Sequence, residues 1–336
     1  MTSPPSARRS LPDPKTAALI ERMLAGDRLA LARLITLVEN RSDTVPAIMR
    51  AIHGRGRDAY VVGVTGPPGA GKSTIVDRLT ALIRTREGTV GVVAVDPTSP
   101  FTGGAVLGDR IRMQAHTLDA GVFIRSMATR GAFGGLARAT GDVLKLLAAF
   151  GLQWILIETV GVGQTELDVM KLADTTIVVL VPESGDAIQT MKAGLLEAAD
   201  VFVVNKADRS GADALRAELR FAAHLQYTGS TGPRDIDWEI PVLATEAHSN
   251  AGVAELLEAV DRHRATLEAA GALQMRRRDR RRQEFRRLLV ETLTAGVERR
   301  LATGDLARIR EQVVEGTLDP YAGAEQILAM LSWKPS

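Results

Sequence analysis

A chain of 336 residues, 45 % hydrophobic and 24 % charged, can bury a full core in one large domain with smaller additions beside it. Its formal net charge of +2 is too slight to demand nucleic acid or an anionic membrane as a partner. With no cysteine, a disulfide framework and a thiolate metal site are both excluded, and no run of about 18 apolar residues predicts a spanning helix.

The first dozen residues, rich in Pro and Ser, are expected to form a disordered tail. They lack the apolar core of a secretory signal, and Asp13 and Glu21 oppose a transit peptide, which leaves the cytoplasm as the default compartment. From Lys15 to about His53, apolar residues recur at intervals of three and four, predicting two or three short helices in an N-terminal region ending near residue 56.

Short β-branched runs then alternate with helical stretches. Six strands are predicted, at 60–66, 90–96, 154–159, 176–182, 201–206 and 240–245. Each is almost wholly apolar, as when helices cover both faces of a parallel sheet, so residues 57–266 are expected to form a doubly wound α/β domain. Residues 267–302 read as one long helical stretch with an apolar stripe of Phe285, Leu288, Leu289, Leu293, Val297 and Leu301. A last helix is predicted near Tyr321 to Leu331, and residues 267–336 form a C-terminal helical arm.

Between the first strand and the next helix lies Gly66-Pro67-Pro68-Gly69-Ala70-Gly71-Lys72-Ser73-Thr74, an ungapped G-x-x-x-x-G-K-[S/T] in its required context. Such a loop turns its N–H groups onto phosphates at a helix N-terminus, with Lys72 near the β- and γ-phosphates and Ser73 on Mg²⁺. Asn205-Lys206-Ala207-Asp208 follows the fifth predicted strand at its carboxyl end. A carboxylate at Asp208 can accept from the ring N–H and exocyclic amine of guanine, a pattern adenine does not offer, while Asn205 and Lys206 steady the loop and pack over the base. Ala244-Thr245-Glu246 is placed to offer a backbone N–H to the guanine oxygen. These motifs predict a Mg²⁺-dependent GTPase acting on GTP.

The third predicted strand ends Glu158-Thr159-Val160-Gly161. Glu158 is positioned to reach Mg²⁺ and the Gly161 N–H the γ-phosphate. The residue after the glycine is Val162, which cannot align a water, so slow intrinsic hydrolysis is expected; Gln164 is a lesser candidate for that task. Asp96 and Asp109 are the remaining acids suited to the metal shell, although Asp96 equally suits a turn before Pro97 and Asp109 a helix cap.

The segments GPPGAGKST, VDPTSPFTGGAVLGDRIRM, IETVGVGQTE and NKAD together resemble the MeaB/ArgK family of SIMIBI-class P-loop GTPases, over nearly the whole chain. The resemblance implies a homodimer joined through the C-terminal helices. It also implies binding to adenosylcobalamin-dependent methylmalonyl-CoA mutase, GTP-gated loading of the cofactor, protection of the mutase from inactivation, and GTP hydrolysis stimulated by that partner. Lys72, Ser73, Asp96, Asp109 and Glu158 stand at the family's phosphate and metal positions. Asp186, Gln189 and Lys192 stand in its partner switch, where Lys192 is placed to supply the group missing at Val162; the same spacing also describes an exposed polar helix face.

An isobutyryl- or ethylmalonyl-CoA mutase is an alternative client, and a nucleotide-gated scaffold is an alternative role. A metal-insertion GTPase is a third reading, which the scattered His53, His116, His224, His248 and His263 do not favour. A kinase acting in arginine transport, an older label for the family, has no catalytic loop here. The arginines between Arg276 and Arg287 point several ways around one helix and read as a solvated face with dimer contacts, not a nucleic-acid groove.

Overall fold

The computed structural model describes residues 12–55, 59–96, 116, 118–128, 135–159, 161, 164–184, 198–229, 235–302 and 304–331. It divides into two compact units, Met1–Leu273 and Gln274–Ser336.

Three helices open the first unit: α1 (Pro14–Leu24), α2 (Arg28–Glu39) and α3 (Val45–Ile52). Their starts are set by acids. The Asp13 carboxylate accepts from the N–H groups of Lys15 and Thr16, and Asp27 from those of Leu29 and Ala30, satisfying donors that a first turn leaves without partners. Ile20, Met23, Leu31, Leu34, Ile35 and Ile48 form the buried stripe.

Seven strands make one all-parallel sheet: β1 (Tyr60–Thr65), β2 (Val90–Asp96), β3 (Val122–Ala128), β4 (Trp154–Thr159), β5 (Thr175–Leu180), β6 (Val201–Asn205) and β7 (Val242–Thr245), in the order β3-β2-β4-β1-β5-β6-β7. The predicted doubly wound α/β domain is therefore present. Strand alternation sorts the side chains by face. Val61, Val93, Val95, Ile155 and Ile157 share a core with α1–α3 and with α5 (Gly135–Phe150) and α6 (Gln164–Met170). Val62, Val64, Val90, Val92, Leu156 and Ile177 face the other way, onto α4 (Lys72–Thr85) and α8 (Val253–Ala269). Val178, Leu180, Phe202 and Val204 pack against α7 (Ala212–Gly229). Both faces are covered, which is why the strands carry few polar residues.

Six strands lie where the sequence predicts them, with ends shifted by a residue or two. The seventh, β3, is absent from the sequence reading. It is an edge strand, and Arg125 and Ser126 interrupt its apolar run. Arg125 is partnered across the core boundary by Glu39 and by the Thr36 hydroxyl of α2, so its charge suits a strand covered on one face only in part.

At the amino end of the sheet a polar chain joins β1, β5 and α8 to Asp200, the residue ahead of β6. The Tyr60 hydroxyl lies 2.6 Å from Thr175 Oγ1, which lies 2.8 Å from His263 Nδ1, and His263 Nε2 stands 3.2 Å from Asp200 Oδ1. Burial pushes the Tyr60 phenol well above its ordinary range.

The long stretch predicted from residue 267 is two helices. α8 ends at Ala269, Gly271 adopts a left-handed conformation (φ +68°), and α9 (Ala272–Leu301) begins anew. The second unit carries most of α9 with α10 (Gly304–Val314) and α11 (Pro320–Met330). On α9, Phe285, Leu289, Val290 and Leu293 are exposed. Among the described residues no helix is long and apolar enough to cross a membrane.

Candidate nucleotide site

Parallel strands bring their carboxyl ends to one edge, where a doubly wound sheet binds ligands. Thr65, Asp96, Thr159 and Asn205 all end strands at this edge, and the segments that leave it carry the predicted site residues.

The loop from Gly66 to Gly71 links β1 directly to α4. Gly71 caps the helix in a left-handed conformation (φ +88°), and a Cβ there would stand 2.3 Å from Asn205 Nδ2, so only glycine fits. Pro68 and Gly69 are exposed at the tip, while Ala70, Lys72 and Ser73 are buried. The Lys72 ammonium donates to the carbonyls of Gly66 and Pro67, 2.9 Å from each, and so spans the loop from within. This places the N-terminus of a 14-residue helix, with its partial positive charge, beside a lysine.

Ser73 Oγ donates to Glu158 Oε1 at 2.5 Å, and both side chains are buried. Glu158 belongs to β4, which pairs with β1 on one side and β2 on the other. One position beyond Glu158, the Thr159 hydroxyl donates to Thr65 Oγ1 at 2.9 Å, and the Thr65 hydroxyl donates to the Gly161 carbonyl at 3.1 Å. Two threonines at adjacent strand ends thereby fix where Gly161 leaves the sheet. Neither was singled out in the sequence, since a strand-terminal threonine carries no motif.

On the far side, Asn205 is the hub. Its Nδ2 donates to the Ala70 carbonyl at 2.8 Å, and its Oδ1 accepts from the Thr245 hydroxyl at 3.0 Å and the Ala247 N–H at 3.2 Å. The phosphate loop and the two loops predicted to read a base are thus fastened through one amide. Lys206 turns the chain with φ +55°, and Asp208 is exposed. Arg209 pairs with Glu183 of the short 3-10 turn Pro182–Ser184, and its hydrogen bond holds the Glu183 carboxyl below the usual carboxylate range.

Of the segment Ala244-Thr245-Glu246, the structure turns the Glu246 N–H onto the Ala251 carbonyl at 2.9 Å and not outward, because residues 246–251 close a tight turn ahead of α8. Of the three N–H groups in that segment, the one on Glu246 is therefore engaged within the protein. Gly66 to Thr74, Glu158, Gly161 and Asn205 to Asp208 converge on one edge of the sheet. Asp96 ends β2 beside Thr159's partner Val95, and its side chain lies outside the described residues, as do Asp109, Asp186, Gln189, Lys192, Val162 and the Gln164 side chain.

Known proteins are similar to this chain over most of its length. A protein of Pyrococcus abyssi assigned provisionally to the GTPases is 51 % identical over 310 residues, covering 92 % of this chain and 95 % of its own. GTPase ArgK of Escherichia coli is 34 % identical over 322 residues, covering 93 % and 95 %. The crystal structure of an LAO/AO transport system kinase superposes with a TM-score of 0.67 at 28 % identity, covering 96 % of this chain and 99 % of that one. The family described as methylmalonyl Co-A mutase-associated GTPase MeaB matches residues 31–302, from α2 through α9. On this match, over a chain whose phosphate loop is joined by Asn205 to the loop after β6, the chain belongs to the MeaB family of P-loop GTPases.

Proposed function

We propose that the protein is a Mg²⁺-dependent GTPase chaperone. It binds an adenosylcobalamin-dependent methylmalonyl-CoA mutase, gates loading of the cofactor and protects the loaded enzyme. The observation that carries this reading is the match to the mutase-associated family over residues 31–302, on a chain whose phosphate loop and Ser73–Glu158 pair sit together at one sheet edge.

A hard divalent cation suits the donors here. The Ser73 hydroxyl and Glu158 carboxylate are buried oxygen ligands side by side, and Asp96 ends the neighbouring strand. Mg²⁺ held there would neutralise charge between the β- and γ-phosphates. The chain's own residues do the positioning. The Gly66–Gly71 backbone and α4 N-terminus hold phosphate, Lys72 supplies a fixed positive charge, and Gly161, anchored through Thr65 and Thr159, presents the backbone nearest the terminal phosphate. Asp208 accepts from guanine on the loop that Asn205 braces. With Val162 in place of a water-orienting side chain, turnover is slow until the mutase docks and Lys192 of the partner switch supplies the missing group.

Steady-state release of phosphate from GTP, with and without purified methylmalonyl-CoA mutase, tests this reading. A slow basal rate that rises about tenfold or more on adding the mutase, some ~1.4 kcal/mol off the barrier, is the expected result. A basal rate unchanged by the mutase removes it as the client and leaves the GTPase assignment standing. Glu158→Gln is the control and is expected to lose turnover in both arms.

A further inference from the structure

Helix α4 carries the phosphate loop at its start, and its apolar face of Ile75, Val76, Leu79 and Ile83 packs with Val253, Leu256, Leu257 and Val260 of α8. Arg78 lies on this helix, half-buried, in no motif that the sequence reading marks. Its Nε donates to the carbonyl of Ala247 at 3.3 Å. Ala247 is 2 % exposed, and its N–H is the one given to Asn205 Oδ1. Both backbone groups of this single residue are therefore taken, one by a side chain of the phosphate-loop helix and one by the base-loop asparagine.

The connections close on themselves. Arg78 holds Ala247, Ala247 holds Asn205, Asn205 holds the Ala70 carbonyl, and Ala70 leads through Gly71 back into α4. Within this circuit the ties of the 246–251 turn to itself, among the described residues, are the Glu246 N–H to Ala251 and the Ser249 N–H and hydroxyl to Glu246. Those ties keep the turn's shape and say nothing of where it sits. Beside its flanking β7 and α8 and the burial of Ala247 in their core, the side chains that tie it to the phosphate loop and its helix are Asn205 on one side and Arg78 on the other. A separate ion pair, from Arg86 just past the end of α4 to Asp261 of α8 at 2.7 Å, is exposed and does not involve the turn.

We infer that Arg78 is a positioning residue for base selectivity: it fixes the Ala247 turn at the distance from the phosphate loop that a guanine nucleotide spans. The inference rests on the guanine-nucleotide reading above and adds a residue to it. The guanidinium touches the turn and not the ligand. Losing it loosens the base end while leaving Lys72, Ser73 and the loop backbone in place. Hydrogen bonds to charged groups are worth enough for the loss to show as about tenfold in affinity.

The test compares GDP and ADP binding to the full-length protein, wild type against Arg78→Met and Arg78→Lys, by calorimetry, with folding checked by thermal denaturation. Both nucleotides place the same phosphates, and only one places guanine. In Arg78→Met, GDP affinity is expected to fall about tenfold with ADP affinity unchanged, so that the preference for GDP shrinks. Arg78→Lys keeps a charge but not the planar Nε–H, and about a threefold loss of preference is expected. Equal losses for GDP and ADP, or a preference that a folded variant retains in full, overturn the proposal. If Arg78→Met does not fold, the Lys variant decides by the same ratio. A wild-type protein with no preference for GDP over ADP overturns the guanine reading itself, and this inference with it.

Discussion

Asn205 turns both ends of its amide onto the protein, with its nitrogen on Ala70 and its oxygen on Thr245 and Ala247, and is 3 % exposed. Three positions later Asp208 stands exposed, so one short motif divides into a residue that builds the site and a residue that meets solution. The sequence shows the motif without showing this division, because burial depends on partners 135 residues before and 42 after Asn205. Asn205→Ala leaves the Ala70 carbonyl, the Thr245 hydroxyl and the Ala247 N–H without this partner in a buried place. Stability is expected to drop by about 2–4 kcal/mol in chemical denaturation, with GDP affinity reduced at least ~tenfold. A variant of wild-type stability would show that the amide is dispensable to the fold.

Among the elements, the first two helices carry their own sensitivity to acid. The Asp27 carboxyl is held below its usual value by the Ala30 N–H first and by Arg22 second, and Asp13 by the Thr16 hydroxyl and N–H. A carboxyl whose folded value is depressed contributes stability above the unfolded value of about 3.9 and loses it as pH falls through the folded value. Helicity is therefore expected to decline below about pH 4 in a circular dichroism titration. The double variant Asp13→Asn, Asp27→Asn caps equally well without titrating and should decline less steeply. Neither cap was marked in the sequence, where an acid ahead of an apolar repeat is a common pattern, whereas β1, β2 and β4–β7 were legible as almost wholly apolar runs. β3 was not legible, since a strand at the rim needs apolar residues on one face only and Arg125 takes its partner from α2, 86 residues earlier. The break at Gly271 was hidden by helix-favouring residues on either side, which continue the pattern through a glycine that ends it.

At the scale of the molecule, the first unit holds the candidate nucleotide edge and the second carries exposed apolar side chains on α9. Phe285, Leu289 and Leu293 are 66 %, 46 % and 43 % exposed. If two chains are joined through the C-terminal helices, as the family resemblance implies, this stripe is the expected contact, and Phe285→Glu with Leu289→Glu should halve the mass found by light scattering and leave GDP binding intact. A double variant that keeps the wild-type mass would place the dimer contact elsewhere. The Asn205–Ala70 bond also has a consequence in time. It spans 135 residues, which at about 5–20 residues per second of synthesis is a delay of roughly 7 to 27 s. Ala247 follows 42 residues after Asn205. A nascent chain thus carries a finished phosphate loop for some while before the amide that fastens it has been made. Nucleotide stabilises by mass action only what can bind it, so its pull on folding begins when the ribosome has passed Ala247, late in the making of the chain.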